Sequence, residues 1–290
     1  FELDLEACRS VFEEGSKIIF LCSPNNPTGN SLKREAIQSL LKSFDGVVVL
    51  DEAYIDFSEQ PSFLLELGNY RNLVVLQTLS KAWGLAGIRV GMAFADPAIV
   101  RVLEGIKATY NVSSLAQEWA LRALAKEARK EELVKALVAE RHRLAEALKQ
   151  VPEVDKVFPS DANFLLVRFN DAKRIFQGLL DRGIVVRDRS DMPGCENCLR
   201  ISVGLPDENR ELLAALEELG GRCPLRGQEP RASERTAIVL RHTQETWIRV
   251  KINLDGSGRA RIQSGLGFLN HMLEQLSRHS GFDLSVEVSG

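Results

Sequence analysis

The chain has no excess of basic residues: 37 lysines and arginines stand against 40 aspartates and glutamates, for a net charge of -3. That balance gives no reason to expect nucleic acid as a partner. It also lacks an apolar run long enough to span a bilayer, so no membrane segment is expected. A disulfide framework is missing too. The five cysteines (Cys8, Cys22, Cys195, Cys198, Cys223) are odd in number and scattered, which fits a reducing compartment, the cytoplasm, better than a bridged secreted scaffold. Cys195 and Cys198 form one C-x-x-C. A zinc site would want a second such pair or two histidines nearby, so two free thiols are expected. Internal repeats and low-complexity segments are absent. There is no initiating methionine: the chain begins at Phe1 and stops at Gly290 inside a strand-like pattern, and we expect an interior piece of a longer protein.

What is present is ordinary globular composition. The 290 residues are 44% hydrophobic and 27% charged, enough for about two domains. From about Lys17 to Phe94 short apolar runs alternate with helical patterns. Ile18–Leu21, Val47–Leu50, Leu73–Leu76 and Val90–Phe94 are continuous rather than alternating, as expected for strands buried on both faces of a parallel sheet. Between the first two, Ser31 to Phe44 has helical spacing with Ser31 as a plausible cap. Helices are predicted at Ser114–Lys126 and Glu131–Gln150. Then come a strand at Asn163–Phe169, a helix at Ala172–Arg182, strands at Ile184–Val186 and Leu199–Val203, and a helix at Asp207–Leu219. That mixture suggests a second, α+β lobe. Residues 221–234 carry glycine, proline and charge without periodicity and read as a linker. Beyond it, Ala237–Leu240 and Thr246–Leu254 look antiparallel, with a turn at Asp255–Gly258, a helix near Gly267–His279 and a strand at Leu284–Val288.

Polar groups collect where an α/β sheet puts chemistry, just beyond the carboxyl ends of its strands. After Leu21 comes Ser23-Pro24-Asn25-Asn26-Pro27-Thr28-Gly29. After Leu50 comes Asp51-Glu52-Ala53-Tyr54. After Leu76 comes Thr78-Leu79-Ser80-Lys81-Ala82-Trp83-Gly84, with Arg89 downstream. Lys81 has apolar sequence neighbours on both sides. A lysine held in such surroundings is expected to lose hydration, fall in pKa and become a nucleophile toward carbonyls. Each group also has a structural reading: Asn-Pro-Thr-Gly as a turn, Asp51 as a helix cap, Arg89 as a solvated cation. Four such groups at successive strand ends favour a site.

S-P-N-N-P-T-G, D-E-A-Y and T-L-S-K-A-W-G-L-A-G-I-R-V-G resemble the pyridoxal-phosphate aminotransferases of the aspartate aminotransferase fold, and most of all histidinol-phosphate aminotransferase. The resemblance runs from the first residues to about Leu219. It implies an α/β large domain with a mostly parallel sheet (residues 1–110) and a smaller α+β domain (111–220). It also implies a homodimer. Lys81 would form the Schiff base with pyridoxal phosphate and shuttle a proton. Asp51 would pair with the ring nitrogen, Asn26 and Tyr54 would hydrogen-bond the ring's phenolic oxygen, and Ser80 and Arg89 would hold the cofactor phosphate. Arg200, in Leu199-Arg200-Ile201-Ser202, matches the family's substrate arginine. A guanidinium fork suits both the phosphate of histidinol phosphate and the carboxylate of glutamate or 2-oxoglutarate. Arg187 is a second candidate anion contact, or else a surface partner of Asp188. The family's glycine-containing phosphate loop and ring-stacking aromatic would lie upstream of Phe1, so weak cofactor retention is expected of these residues alone.

Arg235–Thr246, Leu254–Gly258 and Ile262–Leu276 resemble the opening of imidazoleglycerol-phosphate dehydratase, an α+β domain begun at residues 235–290. By that resemblance His271 would be one manganese ligand and Glu245 a substrate-site carboxylate. Asn270 stands where that family commonly has aspartate, a weaker orienting group. The family's paired His-His-x-x-Glu ligands would lie downstream, and one histidine identifies no metal. The two resemblances imply a bifunctional enzyme of histidine biosynthesis. The alternatives are an aromatic aminotransferase, a threonine-phosphate decarboxylase, or a non-catalytic dimerisation scaffold.

Overall fold

The computed structural model describes residues 1–10, 12, 15–220, 235–242, 247–265 and 267–289. The expected linker at 221–234 lies outside them. The chain forms two compact units, Phe1–Cys223 and Pro224–Gly290.

The first unit opens with α1 (Leu5–Ser10) and a four-stranded sheet in the order β1-β2-β3-β4: β1 (Ile18–Cys22), β2 (Val47–Asp51), β3 (Leu73–Thr78) and β4 (Gly91–Ala95), with α2 (Arg34–Ser43) between β1 and β2. β1, β2 and β3 are parallel, but β4 runs antiparallel to β3. The reason is the connection. Residues 79–90 hold only a short 3-10 turn, and a return to parallel needs a crossover, usually a whole helix. Burial on both faces holds for the middle of the sheet only. Val48, Val49, Leu50, Leu73, Val74 and Val75 are buried, whereas Phe20 on edge strand β1 is 73% exposed. The buried face packs on Ile37, Leu40 and Leu41 of α2. Ser31 does not cap that helix. α2 starts three residues later with Lys33 at its N-cap, and the Ser31 hydroxyl meets that of Ser58 at 3.2 Å.

Helices α3 (Pro97–Ile106), α4 (Ser114–Leu124) and α5 (Glu127–Leu148) follow, Ser113 capping α4 through the Ala116 amide. The second sheet has the order β5-β6-β8-β7, from β5 (Val154–Val157), β6 (Phe164–Phe169), β7 (Arg187–Asp188) and β8 (Cys198–Ser202), all antiparallel, with α6 (Ala172–Leu180) and α7 (Pro206–Gly220). The strand expected at Ile184–Val186 forms three residues later, at Arg187–Asp188. Ile184 closes a turn there, its amide donating to Leu179. Because side chains alternate along a strand, the sheet has two unlike faces. Leu165, Val167, Phe169, Leu199 and Ile201 join α5, α6 and α7 in the largest core. Phe164, Leu166, Arg168, Cys198 and Arg200 lie on the other face.

Buried Arg141 of α5 donates to the carbonyls of Phe57 (3.1 Å) and Ala162 (2.9 Å). It thereby ties the segment after Tyr54 to the one leading into β6. Burial lowers its pKa from the ordinary arginine value.

In the second unit, β9 (Thr236–His242), β10 (Trp247–Asn253), β11 (Ala260–Gln263) and β12 (Asp283–Ser289) order as β11-β12-β10-β9, with α8 (Gly267–Ser280) between the last two in sequence. β9 and β12 pair antiparallel with β10. β11 is parallel to β12, and α8 supplies the crossover this requires. Ile262, Leu284 and Val286 form its core. Among the described residues no helix is long and apolar enough to cross a membrane.

Candidate active site

Asp51 and Glu52 end β2 with opposite fates. Glu52 is buried and saturated, accepting from the Phe63 amide (2.8 Å), the Ser62 hydroxyl and Gln77 (3.0 Å). Half-buried Asp51 accepts from the Ala53 amide at 2.9 Å through Oδ1, and among the described residues no hydrogen-bond partner engages Oδ2. It sits opposite Cys22 in the β1–β2 register. Burial pushes the Cys22 thiol up, and the Asp51 charge pushes it the same way.

Lys81 follows β3 at the start of a turn, where the Gly84 amide donates to its carbonyl at 3.0 Å. Its ammonium lies 5.2 Å from the centre of the Tyr54 ring. The apolar envelope expected from the sequence is not what the fold makes. Leu73–Val75 turn into the sheet core, while Lys81 projects past the strand end and is exposed.

Ser80 and Arg89 are brought together by the antiparallel return to β4. The Leu79 amide and the Thr78 hydroxyl both donate to the Val90 carbonyl (3.2 Å each), and the Ser80 amide donates to Thr78 Oγ1 at 3.0 Å. Arg89 is left-handed (φ 57°, ψ 44°), a conformation costly for a residue with a side chain, and its guanidinium donates to the Ala86 carbonyl.

The loop after β1 is pinned to the second sheet. The Asp161 amide donates to the Gly29 carbonyl (2.7 Å), and Asp161 Oδ2 accepts from the Ser31 amide (3.1 Å). Arg200 Nη1 donates to Asn26 Oδ1 at 2.6 Å. The Arg200 guanidinium also lies 5.0 Å from the centre of the Phe164 ring, which meets Tyr54 edge-on at 5.2 Å and 88°. Lys81, Tyr54, Phe164, Arg200 and Asn26 therefore form one continuous chain of contacts. Phe164 links its two ends, and sequence reading missed it. An apolar strand residue carries no chemical signature, and only the register on β6 assigns its face. A cavity of about 490 Å³ lies beside Lys81, lined by Trp83, Leu137, Glu140, Arg143 and Leu205.

Arg187 lies directly opposite Arg200 across the β7–β8 ladder. The expected alternative, a pair with Asp188, does not form. Asp188 points to the opposite face and accepts from the Ser190 amide and hydroxyl at 2.9 and 2.6 Å. Arg200 is held below its ordinary pKa, first by burial, with Arg189 and Arg187 adding repulsion against the opposing pull of Tyr54. Its Nε is buried and without a partner. Cys195 and Cys198 are buried free thiols, both pushed up by burial.

Of the two residues singled out after the linker, only His271 falls among the described residues. Glu245 lies outside the described residues. His271 is an exposed residue of α8. The Asn270 side-chain oxygen accepts from the Ser264 amide at 3.0 Å. Among the described residues no group of three or more His, Cys, Asp or Glu could hold a metal ion.

The family described as aminotransferase class I and II matches residues 1–216. A histidinol-phosphate aminotransferase of Parabacteroides distasonis is 54% identical over 219 residues, covering 76% of this chain and 64% of that protein. The chain thus spans a little under two thirds of the curated relatives it matches. Among solved structures, the histidinol-phosphate aminotransferase of Clostridium acetobutylicum aligns with a TM-score of 0.71 at 26% identity, over 76% of this chain and 68% of that one. The enzyme of Sinorhizobium meliloti in complex with pyridoxal-5'-phosphate aligns with a TM-score of 0.68 at 27% identity, over 74% and 61%.

Proposed function

The chain belongs to the class I and II aminotransferase family, with the α/β fold of the aspartate aminotransferase type, and on that premise we propose that it serves a histidinol-phosphate aminotransferase. The reaction would exchange an amino group between histidinol phosphate and 2-oxoglutarate with pyridoxal phosphate as cofactor. The observation that carries this reading is the contact chain from Lys81 through Tyr54 and Phe164 to Arg200 and Asn26.

The residues fit the cofactor. Bound pyridoxal phosphate supplies a protonated pyridine ring that draws electrons from the substrate's Cα. Asp51 would accept from the protonated ring nitrogen, and its negative charge would keep that proton in place. Asn26 has its oxygen committed to Arg200, which leaves its amide nitrogen as the group that would donate. The Ser80 hydroxyl lies 2.9 Å from Thr78 Oγ1 and would turn to donate to a phosphate. Arg89, oriented by the Ala86 carbonyl, supplies the matching charge. The Lys81 amine, once neutral, would take up and give back a proton at Nζ. Arg200 and Arg187 bind the substrate's anionic end.

Replacing Lys81 with alanine in the full-length protein should abolish both the visible absorbance of bound cofactor and transamination; unchanged absorbance and rate would refute the assignment. Consumption of 2-oxoglutarate separates this reading from a decarboxylase of the same fold, which releases carbon dioxide and needs no acceptor.

For residues 235–290 we propose the start of an imidazoleglycerol-phosphate dehydratase-like domain, supported by the three sequence phrases that resemble that family. His271 alone does not fit a resident manganese ion, since a single imidazole cannot hold one, and no dehydratase step is derived from these residues. Reading the coding sequence beyond Gly290 tests this: absence of paired His-His-x-x-Glu motifs would remove the dehydratase.

A further inference from the structure

One feature of the second sheet goes beyond the pair Arg187–Arg200. Arg189 lies one step past β7, and its amide donates to the Cys198 carbonyl at 2.9 Å, continuing the ladder. Alternate residues of a strand share a face, so Arg189 joins Arg187 on the side that carries Arg200 and Cys198. Among the described residues none of these three arginines forms an ion pair with a carboxylate. The Nε atoms of Arg189 and Arg200 are both buried without a hydrogen-bond partner. Like charges placed opposite one another across a ladder repel, and buried donors left unpaired are costly. A bound anion would relieve this repulsion and engage the unpaired donors, and the repulsion that lowers Arg200 has Arg189 as a stronger source than Arg187.

Two guanidiniums satisfy the two oxygens of a carboxylate. A third adds donors and a charge that a carboxylate does not use but a phosphate monoester does, with three free oxygens and nearly two negative charges. We propose that Arg189 is a specificity-determining residue that makes this face prefer a phosphate monoester over a carboxylate. The proposal rests on the reading of the substrate given above. It gives Arg189 a role that no sequence motif assigned to it.

The test measures dissociation constants for histidinol phosphate, inorganic phosphate and 2-oxoglutarate by calorimetry on the full-length protein, comparing wild type with R189Q and R189K. Losing a hydrogen bond between charged partners is an effect on the order of ten- to a hundredfold. R189Q should therefore weaken histidinol phosphate and inorganic phosphate by about that factor and 2-oxoglutarate by less than about threefold. R189K, which keeps the charge but not the fork, should fall between and keeps the test decisive if glutamine unfolds the face. Equal weakening of all three ligands, or none, overturns the assignment. If histidinol phosphate does not bind the wild type while inorganic phosphate binds in an Arg189-dependent way, the substrate reading fails and Arg189's role stands.

Discussion

Phe164 holds together two residues of the candidate site, Tyr54 and Arg200, and its contribution can be worked out from the geometry. It is 2% exposed, edge-on to Tyr54 at 5.2 Å, and lies under the Arg200 guanidinium at 5.0 Å. An edge-to-face pair contributes about 0.5–1.5 kcal/mol beyond burial, and a partly desolvated cation–π contact about 0.5–2 kcal/mol. Phe164→Leu keeps most of the apolar volume and removes both. The expected loss of stability is about 1–3 kcal/mol, read as a lowered urea midpoint at constant m. A double-mutant cycle with Tyr54→Leu isolates the ring pair and should give a coupling of about 0.5–1.5 kcal/mol. If the two single losses add to the double within about 0.3–0.5 kcal/mol, the rings do not act on each other and the contact chain is only a row of neighbours.

Two further perturbations probe the frame around the site. Gly29 has φ +81°, and a Cβ there would lie 2.5 Å from Ser160 Oγ and 3.3 Å from Ser160 Cα. Gly29→Ala should cost at least about 1–2 kcal/mol from the left-handed backbone alone, and a loss below about 0.5 kcal/mol in chemical denaturation would contradict that. Buried Glu140 is held below the ordinary value of 4.5, first by the Asn209 amide and then by Arg143. Its folded pKa is depressed, so its contribution is fully present above about pH 4.5 and is lost as pH falls through the lower folded value. Glu140→Gln should flatten that acid limb of a stability–pH profile; superimposable limbs would show that the carboxylate contributes nothing.

The strands of the first sheet were legible because their apolar runs are continuous and bounded by turn residues. The reversal of β4 was not, since a strand's direction depends on what connects it, and residues 79–90 carry no helix whose absence the sequence announces. Lys81 was found by its motif, but its surroundings were misjudged. Neighbours along the chain that point into a sheet core do not desolvate a side chain that leaves the strand end. Arg200 was visible in its motif, whereas Arg189 and Phe164 were not. Both owe their place to cross-strand register in the second sheet, and register is a relation between segments tens of residues apart. Arg141 was equally silent, because an arginine in an amphipathic helix reads as solvent-facing until its two carbonyl partners are seen.

The contrast between Asp51 and Glu52 makes alignment of β2 a chemical variable as well as a structural one. Asp51 is locked opposite Leu76, and the Glu52 amide donates to the Leu76 carbonyl at 2.8 Å. A slip by one residue reverses every side chain on a strand. It would point Glu52, with its longer stem, to the side where Asp51 now stands and turn Asp51 into the Ser62–Phe63–Gln77 cradle, where it is one methylene shorter. The three groups that saturate Glu52 thus act as a gauge. They match the reach of the longer acid, and the shorter one stays at the strand end with the Ala53 amide.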